Sequence, residues 1–305
     1  MQGHLQKGLP PRYLAAVKEF DPSGSARAAF HDDRAALRAA CRPGTGLCTI
    51  TGIDGSYSRR LGAQLAVGPG GEMVGSLADG CLERQLAAEL GRAGEQGTPT
   101  VRRFGAGSTQ IDFRLPCGSG IDVLIDPAPD RDACGRAVAL LDSRCAASLR
   151  LPGTPAGLTT RHYIPPPRLL VFGEGPEQQA LLHLAAAAGI ETELPGRDMA
   201  IGELPSAHPV DPWTAIVLLY HDHEWEGPLL RWALGTPAFL IGAQGGARTR
   251  AQRLEQLCAD GFGADDLARI TSPIGLIPRS REPLVLAVSV LAEIVGRYEQ
   301  LHPHG

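Results

Sequence analysis

Apolar residues in the first half of the chain occur in short runs that are broken by glycine. The Ala-rich segment 31–41 begins with acidic residues and predicts a short helix. Leu82, Leu86 and Leu90 recur every fourth position, which is typical of one face of a helix over Cys81–Leu90. We therefore expect an α+β region built on a small sheet. Its predicted strands are Leu47–Ile53, Gln64–Val67, Glu72–Val74, Val101–Phe104, Ile111–Leu115 and Ile121–Ile125.

The second half of the chain alternates between strand and helix patterns. Alternation of this kind indicates a parallel sheet with right-handed crossovers, so we predict a Rossmann-like α/β fold there. The predicted strands are Arg168–Phe172, Glu191–Leu194, Ala215–Tyr220 and Ala238–Ile241. The predicted helices are Glu177–Ala188, Pro228–Ala233, Arg248–Cys258 and Pro283–Tyr298.

The two patterns are separated by a segment rich in proline and glycine. Residues 151–157 hold two prolines and two glycines, and three consecutive prolines follow at 165–167. Such a run is stiff and extended, and it cannot continue a helix or a central strand. We therefore expect an N-terminal domain over 1–150, a linker over 151–167 and a Rossmann-like domain over 168–305.

Composition and charge narrow the classes of partner. The 305 residues carry 29 basic and 33 acidic side chains, a formal net charge of −4. This balance gives no electrostatic reason to expect nucleic acid or an anionic membrane as a partner. No apolar stretch approaches the roughly 18 residues that span a bilayer, and the segment Met1–Arg12 has no apolar signal core. We expect a cytoplasmic protein.

Seven cysteines are present, and their pattern favours single thiols over paired ones. The number is odd and no Cys-x-x-Cys occurs, which argues against a disulfide framework, a zinc ribbon or a thioredoxin motif. Five of the thiols lie in Ala- or Leu-rich segments or in a predicted strand, so we expect them to be buried and unreactive. These five are Cys41, Cys48, Cys134, Cys145 and Cys258.

Cys81 and Cys117 differ from the others because glycine lies beside each. Cys81 follows Gly80 at the start of a predicted helix, where the helix dipole favours a thiolate and the glycine leaves the sulfur accessible. Cys117 precedes Gly118 between two predicted strands. Arg59, in the loop after the first strand, supplies a fixed cation that suits an anionic group. We predict that the two thiols and this arginine belong to one site.

A glycine turn follows the first strand of the second half. Gly173 and Gly175 stand between a predicted strand and a helix, with Pro176 in the first helical turn. Such a turn lets the backbone approach a phosphate at the helix N-terminus. Gln178 occupies the third glycine position of the fingerprint, and Glu193 is the acidic residue expected near the ribose. The alternative is that the glycines only make the turn.

A second polar cluster, His221-Asp222-His223-Glu224, follows the strand Ala215–Tyr220. The carboxyl end of such a strand faces the ligand crevice of an α/β sheet. A metal site there lacks a distant third ligand, so we favour either a solvated loop or His221 as a crevice-lining residue.

Several motifs occur together in one order and resemble the XdhC/CoxI family. The motifs of the first half are Gly55-Ser56-x-x-Arg59-x-x-Gly62-Ala63, Val74-Gly75-Ser76-x-x-Asp79-Gly80-Cys81-x-Glu83 and Leu115-Pro116-Cys117-Gly118. Those of the second half are Val171-Phe172-Gly173-x-Gly175, His221-Asp222, Phe239-x-Ile241-Gly242-Ala243, Ser272-Pro273-Ile274-Gly275-Leu276 and Ser289-x-Leu291-Ala292-Glu293-Ile294.

The resemblance implies an accessory factor of molybdenum hydroxylases without turnover chemistry of its own. Such a factor binds molybdenum cofactor, as molybdopterin or its dinucleotide form, protects or helps to sulfurate it, and delivers it to an apo xanthine dehydrogenase-type enzyme. A cysteine desulfurase is an implied partner, and a homodimer stays open. Cys81 and Cys117 are the implied molybdenum contacts. For the cofactor we further predict contacts from Arg59, Asp79, Gly80, Gly118, Gly173, Gly175 and His221, since its phosphate needs donors such as an arginine and glycine-loop amides.

Two other interpretations are compatible with the residues. One is an NAD(P)-dependent oxidoreductase that uses the Gly173–Gly175 turn. Titration with nicotinamide cofactors distinguishes it from the accessory factor. The other is a thiol-redox or scaffolding protein in which Cys81 and Cys117 form a reversible disulfide. Mass spectrometry of the oxidised protein would reveal that bridge.

Overall fold

The first half of the protein is an antiparallel sheet with helices on both faces. The computed structural model describes residues 33–78, 80–108, 118–153, 157–195, 205, 208–220 and 223–304. The sheet has the order β3-β2-β1-β5-β4, and every neighbouring pair is antiparallel. The elements are α1 (Asp33–Ala40), β1 (Gly46–Asp54), β2 (Gln64–Val67), β3 (Met73–Gly75), α2 (Cys81–Gln96), β4 (Thr100–Gly105), β5 (Gly120–Asp126), α3 (Arg131–Asp142), β6 (Ala147–Arg150) and β7 (Thr160–Tyr163).

Alternate residues of the sheet enter two separate cores. Helix α2 packs on one face through the leucines that its four-residue spacing predicted, against Ile50 and Val123. Helices α1 and α3 and the hairpin of β6 with β7 cover the other face, against Leu47 and Leu124. The predicted α+β fold with a small sheet is therefore confirmed.

The second half is a parallel sheet of five strands in the order β12-β11-β10-β8-β9. Helices α4 and α8 pack on one face, and α5 and α6 on the other, so the Rossmann-like fold is confirmed. The elements are β8 (Arg168–Gly173), α4 (Pro176–Ala187), β9 (Glu191–Glu193), β10 (Thr214–Leu219), α5 (His223–Leu234), β11 (Leu240–Ala243), α6 (Ala247–Ala259), α7 (Ala264–Ala268), β12 (Ile270–Thr271) and α8 (Pro283–Glu299).

Some elements differ from the sequence expectations. The segment 151–167 contains β7, which pairs with β6 and buries Tyr163 in the core between the antiparallel sheet and helices α1 and α3. This stretch is therefore more than an extended linker. The elements α3, β6, α7 and β12 were not predicted. The predicted strand Ile111–Leu115 lies outside the described residues. The division into domains at 150 and 168 stays a prediction.

The two halves are joined by hydrogen bonds between buried or half-buried groups. Arg144 donates to both carboxylate oxygens of Asp211, at 2.7 and 3.0 Å, and to the carbonyl of Pro166 at 2.8 Å. The hydroxyl of Tyr298 in α8 donates to the carbonyl of Pro165 at 2.7 Å. The proline segment is thus fixed from both sides.

Among the described helices, none combines the length and the apolar character that a membrane span requires.

Candidate functional site

The predicted site residues of the first half lie on loops that leave the antiparallel sheet at the same end of its strands. Asp54 at the end of β1 pairs with Gly120 at the start of β5, and Gly75 at the end of β3 pairs with Leu65. Because neighbouring strands are antiparallel, the connections after β1 and β3 emerge together with the residues that precede β5. We call segments 55–63, 76–78, 80–84 and 118–119 the loop edge.

Cys81 is the first residue of α2 and its thiol is exposed. Gly80 precedes the helix with φ of 30° and supplies no side-chain cap. The Arg84 guanidinium, one turn further on, donates to the Cys81 sulfur through Nη2 at 3.2 Å. A helix N-terminus and a guanidinium both favour an anion at this place.

The loop in front of Cys81 is held by the carboxylate of Glu83. Its Oε1 atom accepts from the backbone amides of Leu77 at 3.2 Å and Ala78 at 3.3 Å, and from the Ser76 hydroxyl at 2.9 Å. Glu83 is only 8% exposed. Hydrogen bonds to a buried carboxylate are among the stronger ones in proteins, so the path of the loop into α2 is fixed.

Arg59 is tied to the same loop. Its Nη2 atom donates to the Ser76 hydroxyl at 3.2 Å, and its Nη1 atom donates to the carbonyl of Ser58 at 3.3 Å. The Tyr57 hydroxyl donates to the carbonyl of Leu77 at 2.8 Å. Two loops that are distant in sequence therefore form one surface, and the predicted association of Arg59 with the Cys81 loop is a contact in the structure.

Two glycines allow these loops to pack. Gly75 has φ of 90°, and a Cβ there would lie 2.4 Å from the carbonyl oxygen of Gln64. Gly55 has φ of 83°, and a Cβ there would lie 3.6 Å from the Cα of Ser119. The loop after β1 therefore runs directly beside the residues that precede β5.

Gly118 is exposed, with φ of 68°, and Ser119 after it is buried. Cys117 and Asp79 lie outside the described residues. That the two thiols share one site stays a prediction.

The glycine turn of the second half has the predicted backbone form. Gly173 has φ of 139°, and a Cβ there would lie 2.9 Å from the backbone of Leu219. Gly175 has φ of 95° and precedes α4, which begins at Pro176. The Gln178 side chain donates to the carbonyl of Gly173 at 2.7 Å. A cleft of about 230 Å³ lies at this turn, and Glu174 lines it.

Glu193, the acidic residue expected near a ribose, is engaged elsewhere. Its carboxylate accepts from Arg168 at 3.2 Å and lies 2.6 Å from Nδ1 of His208. Leu194, one residue later, lines the cleft. His221 and Asp222 lie outside the described residues.

The other thiols divide into buried and exposed groups. Cys48 and Cys134 are buried as expected; burial raises the pKa of the Cys48 thiol, and it raises that of Cys134 to about 12. Cys41 is half-buried, and burial also raises its pKa. The expectation of burial is wrong for Cys145 and Cys258, which are exposed. Cys145 follows the end of α3 and Cys258 lies on the solvent side of α6, so their apolar sequence neighbours do not cover them.

Within the described ranges, no group of three or more His, Cys, Asp or Glu side chains is placed to hold a metal ion.

Sequence reasoning did not assign roles to Ser76, Glu83 and Arg84. Glu83 stands three residues after Gly80, at the position where a glutamate commonly accepts hydrogen bonds from a helix start. This spacing in the sequence could therefore have indicated that Glu83 stabilises the start of the helix. Arg84 faces Cys81 because residues three apart share a helix face.

Comparison with known proteins gives matches over both halves. A profile of the XdhC and CoxI family matches residues 40–105, and a profile of the XdhC Rossmann domain matches residues 169–294. The chain is 31% identical over 268 residues to the molybdenum cofactor insertion chaperone PaoD of Escherichia coli (strain K12). The aligned region covers 83% of each protein.

Two further proteins are similar over most of their length. A protein of Bacillus subtilis (strain 168), described as a probable xanthine dehydrogenase subunit, is 25% identical over 312 residues, covering 82% of this chain and 92% of that one. A crystal structure described as a xanthine dehydrogenase from Bacillus halodurans superposes with a TM-score of 0.67 at 20% identity, covering 90% of this chain and 97% of that one. This last likeness shows the fold.

Proposed function

The chain belongs to the XdhC and CoxI family, and from this premise we propose that it binds molybdenum cofactor as cargo and assists its insertion into a xanthine dehydrogenase-type hydroxylase. The relative with 31% identity is named for cofactor insertion, and it covers most of the chain. The proposal takes that activity to be shared.

The observation that carries the proposal is the exposed thiol of Cys81 at the start of α2, where the Arg84 guanidinium donates to the sulfur at 3.2 Å. A thiolate is a soft ligand that suits a thiophilic metal centre. The cations of Arg84 and Arg59 suit the anionic dithiolene and phosphate groups of the cargo. The donor set at the loop edge therefore fits the cofactor chemically.

Each residue of the loop edge has a separate task in this proposal. Cys81 contacts the cargo, and Arg84 holds negative charge beside the sulfur. Glu83 fixes the backbone in front of the thiol, and Arg59 adds a cation through its bond to Ser76. Because the thiol is exposed, a second protein reaches the cargo without unfolding of the carrier.

The finer parts of the proposal follow the family. We propose that Cys117 contributes the second thiol, that the chain protects or helps to sulfurate the cofactor, and that a cysteine desulfurase and an apo-hydroxylase are its partners. The cargo is molybdopterin or its dinucleotide form. The chain has no turnover chemistry of its own in this account.

We do not propose a nicotinamide-dependent oxidoreductase. The Glu193 carboxylate is bound by Arg168 and His208, and Glu174 places a carboxylate in the cleft at the glycine turn. A carboxylate beside the expected phosphate position disfavours a dinucleotide.

Activation of an apo-hydroxylase tests the proposed function. Cofactor-loaded wild-type protein should restore hydroxylase activity, and Cys81→Ala should lower that activation by about tenfold or more. Cys258→Ala removes another exposed thiol, in α6, and should activate like the wild type. Equal activation by Cys81→Ala and the wild type would refute the role of the thiol.

A further inference from the structure

A second cleft lies at the end of the antiparallel sheet that is opposite to the loop edge. Leu47 near the start of β1 pairs with Asp126 at the end of β5, and both line a cleft of about 420 Å³. Leu124, Leu149 and Leu151 supply further apolar wall. This volume is in the range of sites that hold one small molecule.

Asp126 is a buried carboxylate in this largely apolar wall. It is 6% exposed, and its Oδ1 atom accepts from the backbone amide of Ala128 at 3.0 Å. Within the part of the chain that the structure describes, this is its one hydrogen bond, and no cation forms an ion pair with it. Each carboxylate oxygen can accept two hydrogen bonds, so the protein itself fills only part of this capacity. Neither oxygen is among the fully buried side-chain atoms without a partner, so the second oxygen is open to water or to a ligand in the cleft.

Burying a carboxylate costs free energy unless water or another hydrogen-bond donor reaches its oxygens. Burial raises the pKa of Asp126, and the amide of Ala128 offsets only part of this effect. The bond to Ala128 makes a turn after β5, but that role needs one oxygen and is open to asparagine or serine. A structural role therefore does not account for the second oxygen at the wall of a cleft.

The charges around the cleft disfavour an anionic ligand. Asp130, which caps α3 through its bond to the amide of Ala133, lines the cleft together with Asp126. Among the described residues that line the cleft, Arg150 is the one cation. The charged side chains of this lining therefore have a negative sum. At the loop edge, by contrast, Arg59 and Arg84 suit an anion.

We propose that this cleft is a second ligand site, which takes a small planar molecule with an amidine-type pair of N–H donors on an apolar ring. A fork of two N–H groups matches the two oxygens of the Asp126 carboxylate, as in guanidinium–carboxylate pairs. The leucine wall takes the ring. The same donor pair occurs in aryl amidines and in 2-amino-4-oxo heterocycles such as pterin and guanine. The site is independent of the cofactor role proposed for Cys81.

Calorimetric titration with benzamidine, benzamide and pterin tests the proposal. Benzamide has the ring but lacks the amidinium, and pterin carries the heterocyclic form of the donor pair. We expect saturable binding of benzamidine and none of benzamide. If pterin binds as well, the ligand class includes 2-amino-4-oxo heterocycles. If benzamidine alone binds, the ligand class is restricted to cationic amidines.

Variants assign the binding to the buried carboxylate. Asp126→Asn keeps an acceptor for Ala128 and should weaken benzamidine binding by at least about tenfold. Asp132→Asn removes the same charge from the exposed first turn of α3, outside the lining of the cleft, so its affinity should stay within about threefold of the wild type. Cys81→Ala should bind benzamidine like the wild type.

Hydrogen–deuterium exchange of the wild-type protein supplies a readout that needs no variant. Benzamidine should slow exchange in segments 124–130 and 147–152, and benzamide should not. The proposal is overturned if neither benzamidine nor pterin binds. It is also overturned if Asp126→Asn binds like the wild type, or if protection appears elsewhere in the chain.

Discussion

The guanidinium of Arg59 donates to the hydroxyl of Ser76 at 3.2 Å, and that hydroxyl lies 2.9 Å from the carboxylate of Glu83. A cation from the loop after β1 is thereby linked through one side chain to the carboxylate that fixes the start of α2. Cys81 lies at that start. Arg59, Ser76 and Glu83 therefore act together on the position of Cys81.

Glu83→Ala should destabilise the protein, because it leaves the backbone amides of Leu77 and Ala78 without their acceptor. We expect the free energy of unfolding to fall by about 2 kcal/mol. Glu83→Gln retains one acceptor oxygen and should cost about 1 kcal/mol or less. Urea denaturation measures both values, and equal losses for the two variants would show that the acceptor is not the cause.

Arg59→Gln should weaken cofactor binding while the fold is retained. The loss of the cation beside the Cys81 loop should reduce affinity by about tenfold. Arg136→Gln, on the exposed surface of α3, changes the net charge equally and should bind like the wild type. If both variants lose affinity alike, the effect is one of overall charge and not of the site.

Gly75→Ala tests the close approach of β3 to β2. The positive φ and the 2.4 Å contact with the Gln64 carbonyl should cost about 2 kcal/mol or more of unfolding free energy. Gly91→Ala, on the open surface of α2, meets no atom within 4 Å and should stabilise by about 0.5–1 kcal/mol. Thermal unfolding compares the two, and a tolerated Gly75→Ala would contradict the described loop geometry.

Arg144 should contribute to the free energy of unfolding by an amount that depends on pH, because it interacts with the carboxylate of Asp211. Burial alone raises the pKa of Asp211, but hydrogen bonds and charge from Arg144, with help from Thr214 and Trp213, bring it below its usual range. A carboxyl with a lowered pKa stabilises the fold above the unfolded-state pKa, and this stability is lost as the pH falls through the lower folded value.

Arg144→Ala should therefore lower the free energy of unfolding by about 2 kcal/mol at neutral pH. It should also remove the loss of stability below about pH 4 that Asp211 causes. Arg38→Ala breaks an exposed pair with Asp142 and should cost no more than about 0.5 kcal/mol. Urea titrations at several pH values measure these differences. Parallel curves for Arg144→Ala and the wild type would contradict the assignment.

The sequence predicts most of the fold because the apolar periods are regular in the strands and helices that form the cores. Strand β7 was missed because one of its inward residues is polar. Arg161 is fully buried and donates to the carbonyl of Gly62 at 2.7 Å, while its guanidinium lies 4.7 Å from the Tyr163 ring centroid. An arginine at an inward position breaks the alternation that identifies a strand. Helix α3 was missed because Gly135 interrupts its apolar pattern.

The candidate site was predictable only in part. Glycine neighbours and a helix start identified Cys81, since both are local features. The bond from Arg59 to Ser76 joins loops 17 residues apart, and no local pattern specifies it. The exposure of Cys145 and Cys258 was missed for a related reason, because burial depends on which helix face meets the sheet and not on the composition of neighbours.

Retention of molybdenum cofactor by the purified protein tests the central claim most directly. Wild-type and Cys258→Ala protein, loaded anaerobically and separated by gel filtration, should each retain molybdenum and pterin in roughly stoichiometric amounts. Cys81→Ala, folded to the same melting temperature, should retain less than about one tenth of that amount. Full retention by Cys81→Ala would contradict the account, because the exposed thiol at the start of α2 would then not hold the cargo.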